Sequence, residues 1–124
     1  MILGIGNDII EIKRIEGVIQ RFQEKFLDKV FTQKEQLYCQ KHRESSRHFA
    51  GRFAAKEAIV KAFGTGITKD TSWLDIEIIN SKDGKPLVLL SEKLKEQFEN
   101  VEVLVSISHC KEYATAFAIL QKEN

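Results

Sequence analysis

The chain has 124 residues, 43% hydrophobic and 30% charged, with one proline and seven glycines, which is the make-up of a single folded unit spanning 1–124. Nineteen Lys and Arg against 18 Asp and Glu leave a formal net charge of +1, too little for the global field that drives indiscriminate binding to nucleic acid or anionic lipid. Cys39 and Cys110 make neither a disulfide framework nor a C-x-x-C site, so a reducing cytosol is expected; no run approaches the roughly 18 apolar residues of a membrane span, and MILGIGNDII lacks the basic start and cleavage site of a secretory leader.

From the N-terminus, Ile2 to Ile12 is rich in β-branched residues and reads as a strand in which Gly4 and Gly6 let another backbone approach closely, with Asp8 in its far part. From about Ile12 the period becomes helical: Ile15, Ile19, Phe22 and Phe26 fall on an apolar stripe, and Arg14, Val18, Arg21, Lys25 and Lys29 on a basic one. Thr32-Gln33-Lys34-Glu35 has the capping-box pattern and predicts a short helix holding Leu37 and Tyr38. Ser45-Ser46 offers caps for a longer helix over roughly 47–63, stopping at Gly64 and followed by the connection Gly64-Thr65-Gly66.

Leu74, Ile76 and Ile78 alternate with Asp75 and Glu77, Asp83-Gly84 marks a turn, and Pro86 to Leu90 completes a hairpin. Ser91 to Phe98 reads as a short helix. Val101 to Ile107 and Tyr113 to Leu120, joined through His109-Cys110-Lys111-Glu112, make a second hairpin. Tight turns between strand pairs, mixed with helices, predict an α+β fold with a mainly antiparallel sheet rather than a parallel βαβ sheet.

On the longest helix Ala50, Ala54, Glu57, Lys61 and Gly64 fall within roughly 80° of arc. Spacing alone allows an ordinary surface ion pair between Glu57 and Lys61, worth about 0.3–0.5 kcal/mol. The small residues beside them suggest instead room for a bulky polyanion facing an ammonium and a glycine-flanked helix end. Glu57 repels phosphate unless a hard cation lies between, and Mg²⁺ takes one or two protein carboxylates with phosphate and water. Asp8 is the best second acid, the alternative being an ordinary turn aspartate. No G-x-x-x-x-G-K-[ST] loop occurs, which excludes a P-loop NTPase. His109 and Cys110 adjoin on an extended chain and so point to opposite faces, which argues against a nucleophile pair. Cys39, His42 and His48 fall short of a metal finger's spacing.

The blocks Gly4-Ile5-Gly6-Asn7-Asp8-Ile9-Ile10-Glu11-Ile12, Arg52-Phe53-Ala54-Ala55-Lys56-Glu57-Ala58 with Lys61 and Gly64-Thr65-Gly66, and Ser106-Ile107-Ser108-His109 resemble the three signatures of the holo-acyl-carrier-protein synthase family. The resemblance runs nearly end to end, through Phe31-Thr32 with Glu35, Leu74-Asp75-Ile76-Glu77 and Gly84-Lys85-Pro86. It implies a 4'-phosphopantetheinyl transferase that moves the phosphopantetheine arm of coenzyme A to a serine of apo acyl carrier protein, in support of fatty acid synthesis. By motif position, Asp8 and Glu57 would hold Mg²⁺, Lys61 and Gly64-Thr65-Gly66 would contact coenzyme A phosphates, and His109 would line the same pocket. The carrier's serine supplies the nucleophile, so no internal triad is needed. Arg14, Val18, Arg21, Lys25, Phe26 and Lys29 are then the expected docking face for an acidic carrier helix. Asn7 stands where the family more often has an apolar residue or threonine. Ile10 stands where the two-lobed transferases carry a third acid, so the chain looks like the short class, which assembles as a homotrimer with sites between subunits.

Two other classes compete: an adaptor whose basic helix docks an acidic protein or RNA, and a metal-dependent phosphohydrolase that would turn the same acids on water. An adaptor has no use for Asp8 and Glu57 converging on one cation. An RNA binder interleaves exposed aromatics with its basic stripe, whereas Phe22 and Phe26 fall on the apolar side, so neither a nucleic-acid nor a membrane partner is expected.

Overall fold

Strand β1, Ile2–Glu11, opens the computed structural model, which describes residues 1–64 and 69–123. It is followed by helices α1 (Ile12–Phe22), α2 (Glu24–Val30), α3 (Gln33–Gln40) and α4 (Ser45–Phe63), a 3₁₀ turn at Trp73–Asp75, the hairpin β2 (Ile76–Asn80) and β3 (Pro86–Leu90), helix α5 (Glu92–Gln97), and the hairpin β4 (Val101–His109) and β5 (Tyr113–Lys122). Every strand pairing among the described residues is antiparallel, as the sequence predicts: β1-β5-β4 form one sheet and β2-β3 another. No helix among the described residues is long and apolar enough to cross a membrane.

Helix α4 lies across one face of the three-stranded sheet, in contact with all three strands. The register puts Gly6, Ala118 and Val105 in one row beneath it, Asp8, Ala116 and Ile107 in the next, and Ile10, Ala114 and His109 in a third. Ala114, Ala116 and Ala118 are buried, and small residues down the central strand let the helix settle low on the sheet. Contact with β1 is tighter still. A Cβ on Gly4 would lie 2.0 Å from the carbonyl oxygen of Ala62, and one on Gly6 2.0 Å from that of Ala58, so the close backbone approach expected at these glycines is made by α4. The core continues through Phe31, Ile59, Ile76, Ile78 and Leu94, all fully buried, each stabilising the fold by about 1.5–3 kcal/mol relative to exposure.

Three local expectations need correction. The helix from Ile12 is not continuous: Gln23, at φ 49 and ψ −126, ends α1 and starts α2. The break shifts the apolar phase, so Leu27 and Val30 are buried while Phe22 is left 47% exposed with the Arg21 guanidinium over its ring at 5.1 Å. Burial of Phe22 therefore supplies no argument against an RNA partner. Next, α4 begins at Ser45 with Glu44 as its N-cap and no side-chain cap; Glu44 instead pairs with Arg47 at 2.9 Å. Finally, Ala50 and Ala54 are wholly buried. They are small because the helix packs on the sheet there, and they leave no room for a ligand.

The capping box at Thr32 is present as predicted, with Glu35 N bonded to Thr32 Oγ1 and Thr32 N to Glu35 Oε1. Gly64 ends α4 at φ 61, its N–H bonded to the carbonyls of Val60 and Lys61.

Candidate active site

Asp8 projects from the α4 side of β1, where its neighbours Gly6 and Ile10 are buried. Lys61, near the C-terminal end of α4, reaches across: its Nζ lies 3.1 Å from Asp8 Oδ1 and donates to the Asn7 carbonyl at 3.0 Å. The ammonium thus crosses to β1, and among the described residues no ion pair joins it to Glu57 on its own helix. Glu57 lies one turn earlier and is half-buried. Burial first, then the Asp8 charge, push its carboxyl above the ordinary range, while Lys61 acts in the opposite direction.

Both acids open onto one groove of ≈ 320 Å³, whose other wall is made by Arg14, Ile15, Val18 and Phe26, with Phe53 beside Glu57. Phe26 is fixed there by Phe31 and Phe53, with ring centroids at 5.9 and 6.2 Å. The residues expected to hold a cation and three of those expected to dock a carrier therefore share a single depression. Arg21, Lys25 and Lys29 are exposed beyond it, the last two on α2 past the break.

His109 is placed elsewhere. It ends β4 on the same sheet face as Asp8, but β5 lies between the two strands, about 10 Å across at two strand spacings, and α4 covers the gap. Its ring faces His48 at 5.7 Å, and His48 stacks on His42 at 3.8 Å. With Arg47, Arg52, Tyr38 and Pro86 it lines a separate pocket of ≈ 200 Å³. Ser106 and Ser108 alternate to the opposite sheet face. Within one chain, then, Asp8, Glu57 and Lys61 come together and His109 does not join them. Thr65 and Gly66 lie outside the described residues.

Sequence reasoning missed Arg52 and Lys56, which sit in the same motif as Glu57. Arg52 is 4% exposed, with its guanidinium over the Tyr38 ring at 4.0 Å and a hydrogen bond to Asn80. Lys56 is fully buried against Glu35. The available signal was spacing: Arg52 and Lys56 are one turn apart and flank Phe49 and Phe53, a side of the helix already marked as apolar.

Two carboxylates from separate elements, with an ammonium standing on one of them as a surrogate cation, form a hard-oxygen donor set suited to Mg²⁺. A donor set of this kind beside a groove that carries Arg14 among apolar side chains fits phosphoryl-transfer chemistry, and the 4'-phosphopantetheinyl transferase superfamily model matches residues 4–118. The chain belongs to that superfamily, and within it to the holo-[acyl-carrier-protein] synthases. It is 55% identical over 119 residues to the holo-[acyl-carrier-protein] synthase of Protochlamydia amoebophila, covering 96% of this chain and 98% of that one. The Bacillus anthracis enzyme, solved in complex with CoA (3',5'-ADP), superposes with a TM-score of 0.83 at 41% identity, covering 100% and 99% of the two chains. That of Helicobacter pylori, in complex with coenzyme A, gives 0.85 at 39%, covering 94% and 99%.

Proposed function

We propose that this chain transfers the 4'-phosphopantetheine arm of coenzyme A to a serine of an apo acyl carrier protein, serving fatty acid synthesis in the cytosol. The observation that carries the proposal is the convergence of Asp8, Glu57 and Lys61 beside the groove walled by Arg14, Val18 and Phe26. The relatives with coenzyme A bound add chemical support. Two free thiols, one exposed at Cys110, suit a reducing compartment.

In this reading the serine oxygen forms a bond to the pantetheine phosphorus, and the bridging P–O bond breaks to release adenosine 3',5'-bisphosphate; the serine proton passes to a base in the groove. Asp8 and Glu57 hold Mg²⁺, which when bound neutralises charge on the diphosphate. Lys61 faces the same phosphates with a fixed positive charge, aided by Gly64, Thr65 and Gly66. Arg14, Val18, Arg21, Lys25, Phe26 and Lys29 present the carrier to that point. His109 contacts coenzyme A from a second subunit of a homotrimer. Support for this assembly is the open sheet face, where Ile5, Ile9, Leu104 and Phe117 are 61%, 63%, 38% and 45% exposed, an apolar surface of the kind buried between subunits.

The test is to incubate the protein with Mg²⁺, coenzyme A and an apo carrier, and to weigh the carrier by intact-mass spectrometry. The expected result is a gain of one phosphopantetheine, abolished in Asp8→Asn and Glu57→Gln. Coenzyme A cleaved without transfer would identify a phosphohydrolase. A carrier that binds but never changes mass would identify an adaptor.

A further inference from the structure

We infer that Lys61 is the resident counter-ion of Asp8, and that a divalent cation enters the site only as the ammonium leaves that carboxylate for a polyphosphate ligand. The inference rests on the proposed metal site and adds an exchange of partners at it. Asp8 is anchored: it belongs to a strand paired along its length with β5, and its side chain is 18% exposed. Lys61 is the movable partner, with a side chain 53% exposed on a four-carbon stem. Its Nζ has two contacts on β1, Asp8 Oδ1 at 3.1 Å and the Asn7 carbonyl at 3.0 Å. Both are acceptors for which a hard cation would compete.

A cation bound to Asp8 sits about 2.0–2.1 Å from the carboxylate oxygen if it is Mg²⁺. An ammonium kept near 3 Å from that same oxygen would place two cationic centres a few ångströms apart, where they repel each other and compete for one carboxylate. On the proposal Lys61 swings away, and the depression it lines with Asp8 offers it no other acid among the described residues, while Glu57 is the second carboxylate of the cation site. A phosphate group restores its partner. Lys61 thus opposes the cation when the site holds no ligand and supports it once a diphosphate is present, so that cation and diphosphate load together and neither loads well alone.

The sign of this effect can be read without turnover. Mn²⁺ serves as the probe: loss of the free aqua-ion electron paramagnetic resonance signal is followed on titration into the full-length protein, with and without coenzyme A. Lys61→Met, exposed and conservative in length, is compared with wild type and with Lys34→Met, a distant exposed lysine, after circular dichroism confirms that all are folded. Lys61→Met is expected to bind Mn²⁺ about threefold to tenfold more tightly than wild type when coenzyme A is absent. Coenzyme A should then tighten Mn²⁺ binding in wild type by more than it does in the variant, and Lys34→Met should match wild type throughout. Equal or weaker Mn²⁺ binding by Lys61→Met, with wild-type binding intact and abolished by Asp8→Asn, overturns the exchange and leaves the metal site standing. Wild type that binds no Mn²⁺ up to millimolar concentration even with coenzyme A present, or Asp8→Asn that binds it normally, overturns the exchange and the metal site together.

Discussion

Lys56 and Glu35 meet at 2.8 Å with both side chains fully out of solvent. Lys56 Nζ also donates to the carbonyls of Val30 at 2.7 Å and Trp73 at 3.1 Å, so each of its three protons has an acceptor. Glu35 accepts from Thr32 N and, through Oε2, from Ile78 N, each at 2.8 Å. One ion pair thereby joins α4 to the end of α2, the start of α3, the 3₁₀ turn and β2. Burial still holds the Lys56 ammonium below the ordinary lysine range, with Glu35 acting against the shift.

Because the pair is complete, removing one half strands the other. Lys56→Met should lower unfolding stability by about 3–5 kcal/mol in a urea titration, far beyond the loss expected for an exposed lysine. A loss below about 1 kcal/mol would mean that solvent reaches Glu35 freely.

Gly6 and Gly17 should respond in opposite directions to the same substitution. Gly17, within α1, has nothing within 4 Å of an added Cβ, so Gly17→Ala should gain about 0.5–1 kcal/mol by reducing backbone freedom in the unfolded chain. Gly6→Ala drives a methyl against the Ala58 carbonyl and should cost about 3 kcal/mol, the upper end of the range for overpacking, as α4 is pushed from the sheet. Thermal melts of the two variants, measured side by side, check the pair.

The docking face is tested by charge reversal. Arg14 lines the groove beside Glu57, so Arg14→Glu should raise the carrier KM roughly tenfold, leave the coenzyme A KM unchanged and make the salt dependence shallower. Lys29→Glu, on α2 beyond the break at Gln23, should do less. Steady-state kinetics with each substrate varied in turn separate the two parameters, and an unchanged carrier KM in Arg14→Glu would remove α1 from the docking face.

Acid should weaken the fold through His48. Burial, then the neighbouring charges of His42, His109, Arg52 and Arg47, push its imidazole down to about 4 from the usual 6.5. The unfolded chain therefore takes up a proton between those values and the folded chain does not, so the His48 contribution is intact above about pH 6.5 and is lost as pH falls toward 4. His48→Phe should flatten the fall in Tm between pH 7 and 5. An unchanged slope would place the acid sensitivity in another group.

Both hairpins and the α+β class were legible in the sequence because alternation and turn residues are local signals. Gln23 was not, since a glutamine in a helical pattern gives no sign of a backbone turned to positive φ. Lys56, Glu35 and Arg52 were hidden because a charge in a sequence reads as a solvated group, and only tertiary packing supplies the partners that make burial tolerable. Ala50 and Ala54 were visible as a small-residue stripe, but whether such a stripe meets a ligand or a sheet depends on what packs there. The Asp8, Glu57 and Lys61 set was traceable through motif order. The separation of His109 from it was not, because it depends on the register of three strands whose members lie far apart in the chain.

That separation carries a genetic consequence. A polypeptide lacking Asp8 and one lacking His109 are damaged on opposite flanks of α4, so neither defect disturbs the half-site that the other retains. If subunits share their sites as proposed, co-expressing the two defective alleles would reconstitute some intact sites at mixed boundaries, whereas two alleles altered at Asp8 and Lys61 would not complement. An enzyme divided in this way would also expose a healthy allele to interference, since a mutant copy that still assembles withdraws half a site from each normal neighbour it joins.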